Sequence, residues 1–401
     1  MTSSKRVIGT LTLLLSVLLS CSPNIKETVQ QKTSSATIID IDNIPFRDNL
    51  QLTDIMADYE YIPLETSDVA LVGQIKNIAF DKDRIFIQDE IIEGLHIFNG
   101  QGNFLHKMEP SGKGPEEFTE ITSFTLDKKK KHIILSTPGK IMTFDYQGNF
   151  VDGFNSTYSL ARQIAYTGNN KLLAFMGPAS FSDEQGFHQA VILDLKTHEV
   201  ITKDIPFDVN TRLENMTGFF NNVNYAQGEA KLLSIPYKNN IWKIDSDSIS
   251  VDYVIDFGEN NLPENYESEY LTDPKYTSEY LREMETDEGW RKLNGGGLLS
   301  NESLVYFYYS TKGKFREVFY DLRTNKAFQV EVPLKNDLDG TSFVAHQGSY
   351  EDKLVSFINP ATIKKHVASG KITEKRIIQL AKNLKEEDNP VLRLLTFKRI
   401  E

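Results

Sequence analysis

Cysteine is almost absent from this chain, which contains one such residue, Cys21, among 401. A single thiol excludes a disulfide framework and any cysteine-based metal site. Tryptophan is scarce too, with two residues, but 24 phenylalanines and 17 tyrosines supply ample apolar surface. This content excludes an intrinsically disordered chain, and the length fits one large domain or two ordinary ones.

Positive charge is the second shortage. Lysine and arginine total 44 against 56 aspartates and glutamates, which gives a formal net charge of −12. Binding to nucleic acid or to an anionic membrane surface requires clustered cationic side chains. The acidic balance therefore argues against either as the main partner.

Long apolar runs are missing as well. The predominantly apolar stretch Val7–Leu19 follows Lys5 and Arg6, and as a helix it would rise only about 20 Å, which is short of a bilayer core of about 30 Å. A basic start followed by a short apolar run is typical of a signal peptide, here residues 1–20.

The signal peptide ends at Leu18-Leu19-Ser20-Cys21, which resembles the lipobox of bacterial lipoproteins. In that motif the cysteine thiol carries the diacylglycerol, so Cys21 is the predicted lipidation site. The alternative is an ordinary signal peptide followed by a chance cysteine. Cleavage changes the net charge to −14, and residues 22–36 are polar enough for a flexible tether. The expected location is the cell envelope, at the outer membrane, facing the periplasm or the cell surface.

A repeat of about 46 residues begins near Ile75. The run 98–104, Phe-Asn-Gly-Gln-Gly-Asn-Phe, recurs at 144–150 as Phe-Asp-Tyr-Gln-Gly-Asn-Phe, and the same offset relates Phe80-Asp81-Lys82 to Leu126-Asp127-Lys128. Short segments with alternating apolar residues predict strands, and Gln-Gly-Asn predicts a hairpin turn. Looser copies follow at about 164–195, 223–257, 298–321 and 343–358.

Two stretches interrupt the repeats and have helical patterns, Pro263–Lys292 and Ala361–Leu384. Without them, the length from Ile75 to the C-terminus accommodates about six units. Four-stranded units of this size stack radially as a β-propeller. The sequence therefore predicts an all-β fold over residues 37–401, a six-bladed β-propeller with a helical insertion and a C-terminal helix before the closing strand. Tyr59–Leu64 is expected to complete the blade that ends with Val391–Lys398.

Three short motifs carry a resemblance to a known family. They are Ile62-Pro63-Leu64-Glu65-Thr66, the loop from Gly112 to Phe118 with sequence Gly-Lys-Gly-Pro-Glu-Glu-Phe, and Asp388-Asn389-Pro390-Val391. Together they resemble the six-bladed β-propeller lipoproteins, which are related to NHL-repeat propellers and largely lack an assigned function. The resemblance implies a secreted, anchored propeller and supplies no catalytic residues.

Motifs for chemistry are weak, and no cofactor or metal is expected. In the Gly112–Phe118 loop, Gly-Lys is not followed by the Ser or Thr of a P-loop, so an inter-blade turn over a packed Phe118 is the preferred interpretation. Lys128–Lys131 is interpreted as a solvated hairpin tip, and Asp245–Ser248 as a turn without EF-hand spacing. The histidines lack metal-ligand spacing, although a metal site formed by histidines from several blades remains an alternative. They are residues 96, 106, 132, 188, 198, 346 and 366.

Polar residues at the start of each innermost strand form a candidate ligand site at one mouth of the central channel. Aligning the repeats places six residues there: Lys76, Thr122, Arg162, Asn221, Asn294 and Ser342. Solvation at a funnel entrance explains their polarity equally well. In the functional interpretation, two cations and four neutral hydrogen-bonding groups hold a polar or anionic ligand.

Two functions from different classes remain after this reasoning. The first is a monomeric binding module, anchored to a membrane by its lipid, that holds a glycan, a peptide or an envelope protein and no nucleic acid. The second is a propeller-type enzyme, such as a glycan hydrolase or lyase, with its site at the channel mouth. Fold does not decide between them, because function is a property of sites; binding is favoured.

Overall fold

The computed structural model describes residues 36–176, 182–183, 186–206, 232–235, 237–273, 275–293, 298–332, 334–341 and 348–401. Six sheets, each built mainly from consecutive strands, follow one another along the chain. The fold is the predicted six-bladed β-propeller. Before the first repeat the elements are β1 (Thr37–Asp40), α1 (Leu52–Ile55) and β2 (Met56–Pro63).

Blades 1 and 2 contain the strands that the repeat predicted. Blade 1 consists of β3 (Ile75–Asp81), β4 (Arg84–Asp89), β5 (Gly94–Asn99) and β6 (Phe104–Met108). Blade 2 consists of β7 (Ser123–Asp127), β8 (His132–Thr137), β9 (Lys140–Asp145) and β10 (Phe150–Asn155). Lys128–Lys131 is the β7–β8 hairpin tip, as expected.

The hairpin that defines the repeat has the same geometry in both blades. Gly102 and Gly148 have φ values of +86° and +85°, a region open to glycine because it has no Cβ. In blade 1 the side-chain oxygen of Asn99 accepts bonds from the backbone N–H groups of Gln101 and Asn103, at 3.0 and 2.9 Å. Asp145 makes the equivalent bonds in blade 2, at 2.9 Å each.

Blades 3 to 6 follow the looser copies. Blade 3 contains β11 (Gln163–Gly168), β12 (Lys171–Phe175), β13 (Ser182–Asp183), β14 (Gly186–Asp194) and β15 (Val200–Pro206). The described part of blade 4 contains β16 (Leu232–Ser234), β17 (Asn240–Ile244) and β18 (Ile249–Asp256). Blade 5 contains β19 (Arg291–Leu293), β20 (Leu299–Ser300), β21 (Leu304–Thr311), β22 (Lys314–Asp321) and β23 (Lys326–Glu331). Blade 6 contains β24 (Gly348–Tyr350), β25 (Lys353–Ile358) and β26 (Val391–Phe397). The predicted strands at 223–225 and 343–347 lie outside the described residues.

Helices occur in both predicted insertions, with two corrections. The first insertion contains α2 (Ser278–Asp287), which ends before Gly289 at φ +74°, and Lys292 belongs to strand β19 rather than to the insertion. The second is two helices, α3 (Pro360–Ala368) and α4 (Lys375–Asn383), separated by Gly370 at φ +72°. Short turns of 3-10 or π helix also occur, at Ile41–Asn43, Thr157–Leu160, Gly258–Asn260 and Glu267–Leu271.

The predicted closing strand is confirmed. β2 pairs antiparallel with β26, with Tyr59 opposite Leu395 and Ile62 opposite Leu392. Asn389 holds this junction: its side-chain oxygen accepts from the Val72 N–H at 2.9 Å, and its amide nitrogen donates to the Glu65 carbonyl at 2.6 Å. Two of the three family-like motifs are therefore the two sides of the ring closure.

A second N-terminal strand was not predicted. β1 lies parallel to β18 on the outer side of blade 4, with Thr37 opposite Tyr253. The chain then passes along blade 5, where the Arg47 N–H donates to the Gln329 carbonyl and the Gln329 N–H to the Pro45 carbonyl, both at 2.9 Å. Residues 37–63, here called the N-terminal strap, thus contact blades 4, 5 and 6 in turn.

The loop from Gly112 to Phe118 is a rigid inter-blade turn, as predicted. The Lys140 ammonium donates to the carbonyls of Gly114, at 2.5 Å, and Glu117, at 3.2 Å. The Glu117 carboxylate accepts from the Gly114 N–H at 2.8 Å. Phe118 is buried, and its ring packs edge-on against Phe144 with centroids 5.9 Å apart.

Blade 6 encloses a buried ionic network. Arg393 is 1% exposed and Asp339 is fully buried. The Arg393 guanidinium donates to the Asp339 carboxylate at 2.9 Å and to the Ser356 hydroxyl at 3.0 Å. The Tyr61 hydroxyl of β2 donates to the same carboxylate, so the closing strand also shares this network.

Candidate functional site

An axial cavity of about 320 Å³ lies among the innermost described strands. Its walls come from β3, β7, β11, β20 and β24 and from the turns that follow them, so blades 1, 2, 3, 5 and 6 all contribute. The closed ring brings together these residues, which are distant in sequence.

Hydroxyl groups join the neighbouring strands of this wall. The Ser123 and Thr125 hydroxyls of β7 accept from the backbone N–H groups of Ile164 and Tyr166 in β11, at 3.1 and 3.0 Å. The Ser349 hydroxyl of β24 donates to a carbonyl of β20 at 2.7 Å. These bonds between blades hold the wall residues in fixed positions.

Two buried polar groups of the wall have no partner in the described part of the chain. The Asn301 side-chain oxygen accepts from the N–H groups of Ser303 and Leu304, at 2.8 and 2.9 Å, but its amide nitrogen makes no bond. The Ser300 hydroxyl is also unpartnered. Both side chains are at least nine-tenths buried. Unsatisfied buried polar groups are rare and call for an explanation, such as a bound molecule that supplies acceptors.

Charged residues stand at the cavity rim. Lys82 and Lys128 are exposed on blades 1 and 2, and Glu302 and Glu351 are exposed on blades 5 and 6. Asp81 also lines the cavity, but it is buried and is neutralised by the Lys131 ammonium at 2.5 Å.

Aromatic rings complete the wall. Tyr350 stacks on Phe80 with centroids 4.8 Å apart, and its hydroxyl donates to the Lys82 carbonyl at 2.9 Å. Burial and the nearby Glu351 carboxylate raise the pKa of Tyr350 to about 12. Burial also raises the pKa of Tyr166. Both phenols therefore stay protonated at neutral pH.

The predicted mouth residues lie at the starts of the same strands, whereas the charged rim lies in the turns that follow the strand ends. Lys76 is the second residue of β3, and Thr122 and Arg162 come directly before β7 and β11; Lys76 and Arg162 are exposed. None of the three lines the axial cavity. Their predicted companions Asn221, Asn294 and Ser342 lie outside the described residues.

The cavity residues themselves were not singled out by sequence reasoning, although one signal was available. The 46-residue offset relates Lys82 to Lys128, so the repeat places a lysine at the same turn of two adjacent blades. The unpartnered groups of Ser300 and Asn301 gave no such signal, because blade 5 departs from the repeat.

One of the histidines, His96, is a residue of the core. His96 is fully buried, neither ring nitrogen has a partner, and burial lowers its pKa to about 4, so the ring is neutral. Among the described residues, no group of three or more His, Cys, Asp or Glu side chains is placed to hold a metal ion. No helix in this part of the chain is long and apolar enough to cross a membrane.

Two solved structures of proteins from Bacteroides species are similar to this chain. A "putative exported protein" from Bacteroides fragilis is 17% identical, with a TM-score of 0.70, over 90% of this chain and 100% of that one. A member of the DUF4221 family from Bacteroides vulgatus is 10% identical, with a TM-score of 0.46, over 86% of this chain and 97% of that one. No curated protein matches the sequence. A family model described as "Domain of unknown function (DUF4934)" matches residues 36–396, and the chain therefore belongs to the DUF4934 family.

Proposed function

We propose that this protein is a lipid-anchored binding module of the cell envelope whose ligand occupies the axial cavity. The observation that carries the proposal is the cavity wall, where inner strands of five blades present fixed polar groups, two of them buried without partners. A volume of about 320 Å³ is at the lower end of the range for ligand pockets. The ligand is therefore a small molecule or a short protruding segment of a glycan, peptide or envelope protein.

Filling the cavity should abolish binding. Gln163 lies half-buried in the wall on β11, so Gln163→Trp places a bulky ring where the ligand sits. The test exposes the purified full chain, in detergent, to pools of oligosaccharides and short peptides, and mass spectrometry identifies what is retained. We expect the variant to lose at least about tenfold in retention, because a ligand excluded from its pocket forfeits its buried contacts, while its melting temperature stays unchanged.

Two controls locate the site. Gln101→Trp makes the same change at the exposed tip of the β5–β6 hairpin and should bind normally. Lys76→Ala with Arg162→Ala tests the opposite mouth, and it too should bind normally. If this double variant loses the ligand while Gln163→Trp keeps it, the site is the mouth at the strand starts and the cavity assignment is wrong.

The proposed anchor is Cys21, with the outer membrane as the proposed location, and the similarity to a protein described as "putative exported" supports the extracytoplasmic part of this proposal alone. Cys21→Ala should abolish labelling by a radioactive fatty acid and release the protein from membranes, or leave it unprocessed, because two or three acyl chains provide the membrane affinity. Ser22→Ala is the matched control and should label normally. A Cys21→Ala protein that stays with membranes through a high-salt carbonate wash contradicts the anchor.

A further inference from the structure

The junction between blades 6 and 1 is closed by one acidic residue. The Glu65 N–H donates to the Gly102 carbonyl at 2.8 Å, and the Phe104 N–H donates to the Glu65 carboxylate at 2.9 Å. A single glutamate thus satisfies two backbone groups beside the blade 1 hairpin.

The junction between blades 1 and 2 has the same framework. A Cβ on Gly102 would meet the side chain of Ile62 at 3.0 Å, and a Cβ on Gly148 would meet that of Met108 at 3.4 Å. Gly148 follows Gly102 by 46 residues, and Met108 follows Ile62 by the same number. The two junctions are therefore equivalent.

Ser111 replaces the closing residue at the second junction. The repeat places it at the position of Glu65, but its N–H donates to the Phe118 carbonyl, at 2.9 Å, within the inter-blade loop. The groups that correspond to the two partners of Glu65 are the Gly148 carbonyl and the Phe150 N–H. In the described part of the chain, neither has a partner outside blade 2.

A groove of about 380 Å³ lies at this place. This blade 1–2 groove is bordered by His106, Ser111, Glu116, Gln147, Gly148 and Phe150. Its floor is aromatic, because the rings of Phe118, Phe144 and Phe150 pack edge-on, with successive centroids 5.9 and 5.7 Å apart. At the next junction, by contrast, Phe154 stacks on His198 of the blade 3 hairpin, with centroids 4.0 Å apart.

The groove contains hydrogen-bond donors that need an acceptor. The Nε2 atom of His106 is buried and has no partner among the described residues, and a Cβ on Gly148 would lie 4.0 Å from it. Burial and the nearby Arg84 lower the pKa of His106, so the ring is neutral at neutral pH and Nε2 donates in one tautomer. Together with the Phe150 N–H, this nitrogen favours a carboxylate, which Glu65 supplies at the equivalent place.

Fixed charge does not decide the ligand. Three charged side chains line the groove, and Lys107 pairs with Glu109 at 2.8 Å, which leaves the exposed Glu116. Charged neighbours outside the lining are of both signs, namely Arg84, Lys113, Lys140, Glu117 and Asp145. Glu65 likewise has no ion pair in the described part of the chain, so a backbone N–H suffices to hold a carboxylate at such a junction.

We propose that the blade 1–2 groove is a second binding site, which takes an extended peptide segment of a partner protein through one acidic residue. The N–H of that residue donates to the Gly148 carbonyl, and its carboxylate accepts from the Phe150 N–H and from His106 Nε2. Apolar side chains beside it pack on the aromatic floor.

The test uses two pools of pentapeptides with acetylated and amidated ends, so that a carboxylate comes only from a side chain. The central residue is Glu or Asp in one pool and Gln or Asn in the other, and the flanking residues are never acidic. The full chain in detergent should retain the acidic pool at least about tenfold better, because the amide pool lacks a charged hydrogen bond. Equal retention of the two pools, or retention of neither, overturns the proposal.

Free glutarate distinguishes a peptide from a small carboxylate. It lacks the backbone N–H that would reach Gly148, so it should compete at least about tenfold more weakly than an acidic peptide. Equal competition overturns the assignment to a peptide segment.

Three tryptophan variants locate the site. Gln147→Trp fills the groove from the exposed hairpin of blade 2 and should lower retention of the acidic pool at least about tenfold. Gln101→Trp is the matched control, because the repeat places it at the same position of the blade 1 hairpin, where Glu65 closes the junction. Gln163→Trp fills the axial cavity, and it too should retain the pool normally. Loss in Gln163→Trp but not in Gln147→Trp overturns the proposal and supports the proposed function of the cavity.

Two further variants test the carboxylate itself. Ser111→Glu supplies it from the chain, as Glu65 does, and should lower retention of the acidic pool about tenfold. Ser111→Gln, equal in length but uncharged, is the matched control and should lower it less. Glu116→Gln removes an exposed opposing charge and should raise retention about two- to fivefold. Weaker retention in Glu116→Gln would mean that the groove receives a cation, and the proposal would be wrong.

Discussion

Deleting residues 37–64 should leave a chain that does not fold into a propeller. The deletion removes β1 and β2 and uncovers the outer edges of blades 4 and 6. It also removes six buried aliphatic side chains, namely Ile39, Ile41, Leu52, Ile55, Ile62 and Leu64. At about 1.5–3 kcal/mol each, their loss matches or exceeds the free energy of unfolding of a typical domain, which is about 5–15 kcal/mol.

Calorimetry and far-ultraviolet circular dichroism would measure the effect. We expect no cooperative thermal transition after the deletion, and aggregation through the uncovered strand edges. Deleting residues 22–36 is the matched control, and it should leave the melting temperature nearly unchanged because this polar segment is a tether. Equal melting temperatures for the two truncations would show that the strap does not hold the ring closed.

Asp339→Ala should destabilise the protein by about 3–5 kcal/mol, because it leaves the guanidinium of Arg393 buried without its counter-charge. Burial alone would raise the pKa of Asp339, but Arg393 and the hydrogen bonds from Thr341 and Tyr61 hold that pKa below its ordinary value. The carboxylate is therefore charged at neutral pH and matched to Arg393. Urea unfolding measures the loss as a lower midpoint with an unchanged slope.

A double-variant cycle separates the ion pair from general damage. Arg393→Met alone should also lower the free energy of unfolding substantially, because it leaves the Asp339 carboxylate buried without its counter-charge. Both changes together should lower it by less than the sum of the two single effects. The exposed pair of Lys314 and Glu331, 2.9 Å apart, is the matched control: Glu331→Ala should cost less than about 1 kcal/mol. If the effects of the Asp339 and Arg393 substitutions on the free energy of unfolding simply add, the two residues act independently.

The sequence predicted most of the fold because the repeat is local. Gly102 and Gly148 fix two turns with one geometry, and the short, mostly apolar segments between turns identify β4 and β5 as strands whatever lies beside them. β1 was not predicted because a four-residue strand has little pattern of its own. It is defined by its partner, β18, which lies far along the chain in blade 4. Similarly, Gly289 is a local signal for the end of α2, but the strand that contains Lys292 is defined by its pairing with β21 and has no pattern of its own.

The candidate site was harder to predict from the sequence, for the same reason. Sequence reasoning identified the innermost strands but chose their starts, at Lys76 and Arg162, because polar residues interrupt apolar ones there. Which residues of an inner strand border a cavity depends on how closely five blades approach, and the sequence of one blade does not contain that information. The unpartnered amide of Asn301 is likewise a property of its surroundings.

The N-terminal strap also imposes an order of events on folding. Ribosomes release the strap before any blade, yet Thr37 pairs with Tyr253, and Tyr59 pairs with Leu395 in β26, which follows all the other described strands along the chain. Neighbouring blades can pack as they emerge, but ring closure must wait for β26. Pairing between such distant segments is slow, because the entropy of closing a long loop is lost before any contact forms. Until β26 arrives, β2 remains an unpaired strand that any other extended chain can bind, so the nascent propeller is most vulnerable to aggregation just before it is complete.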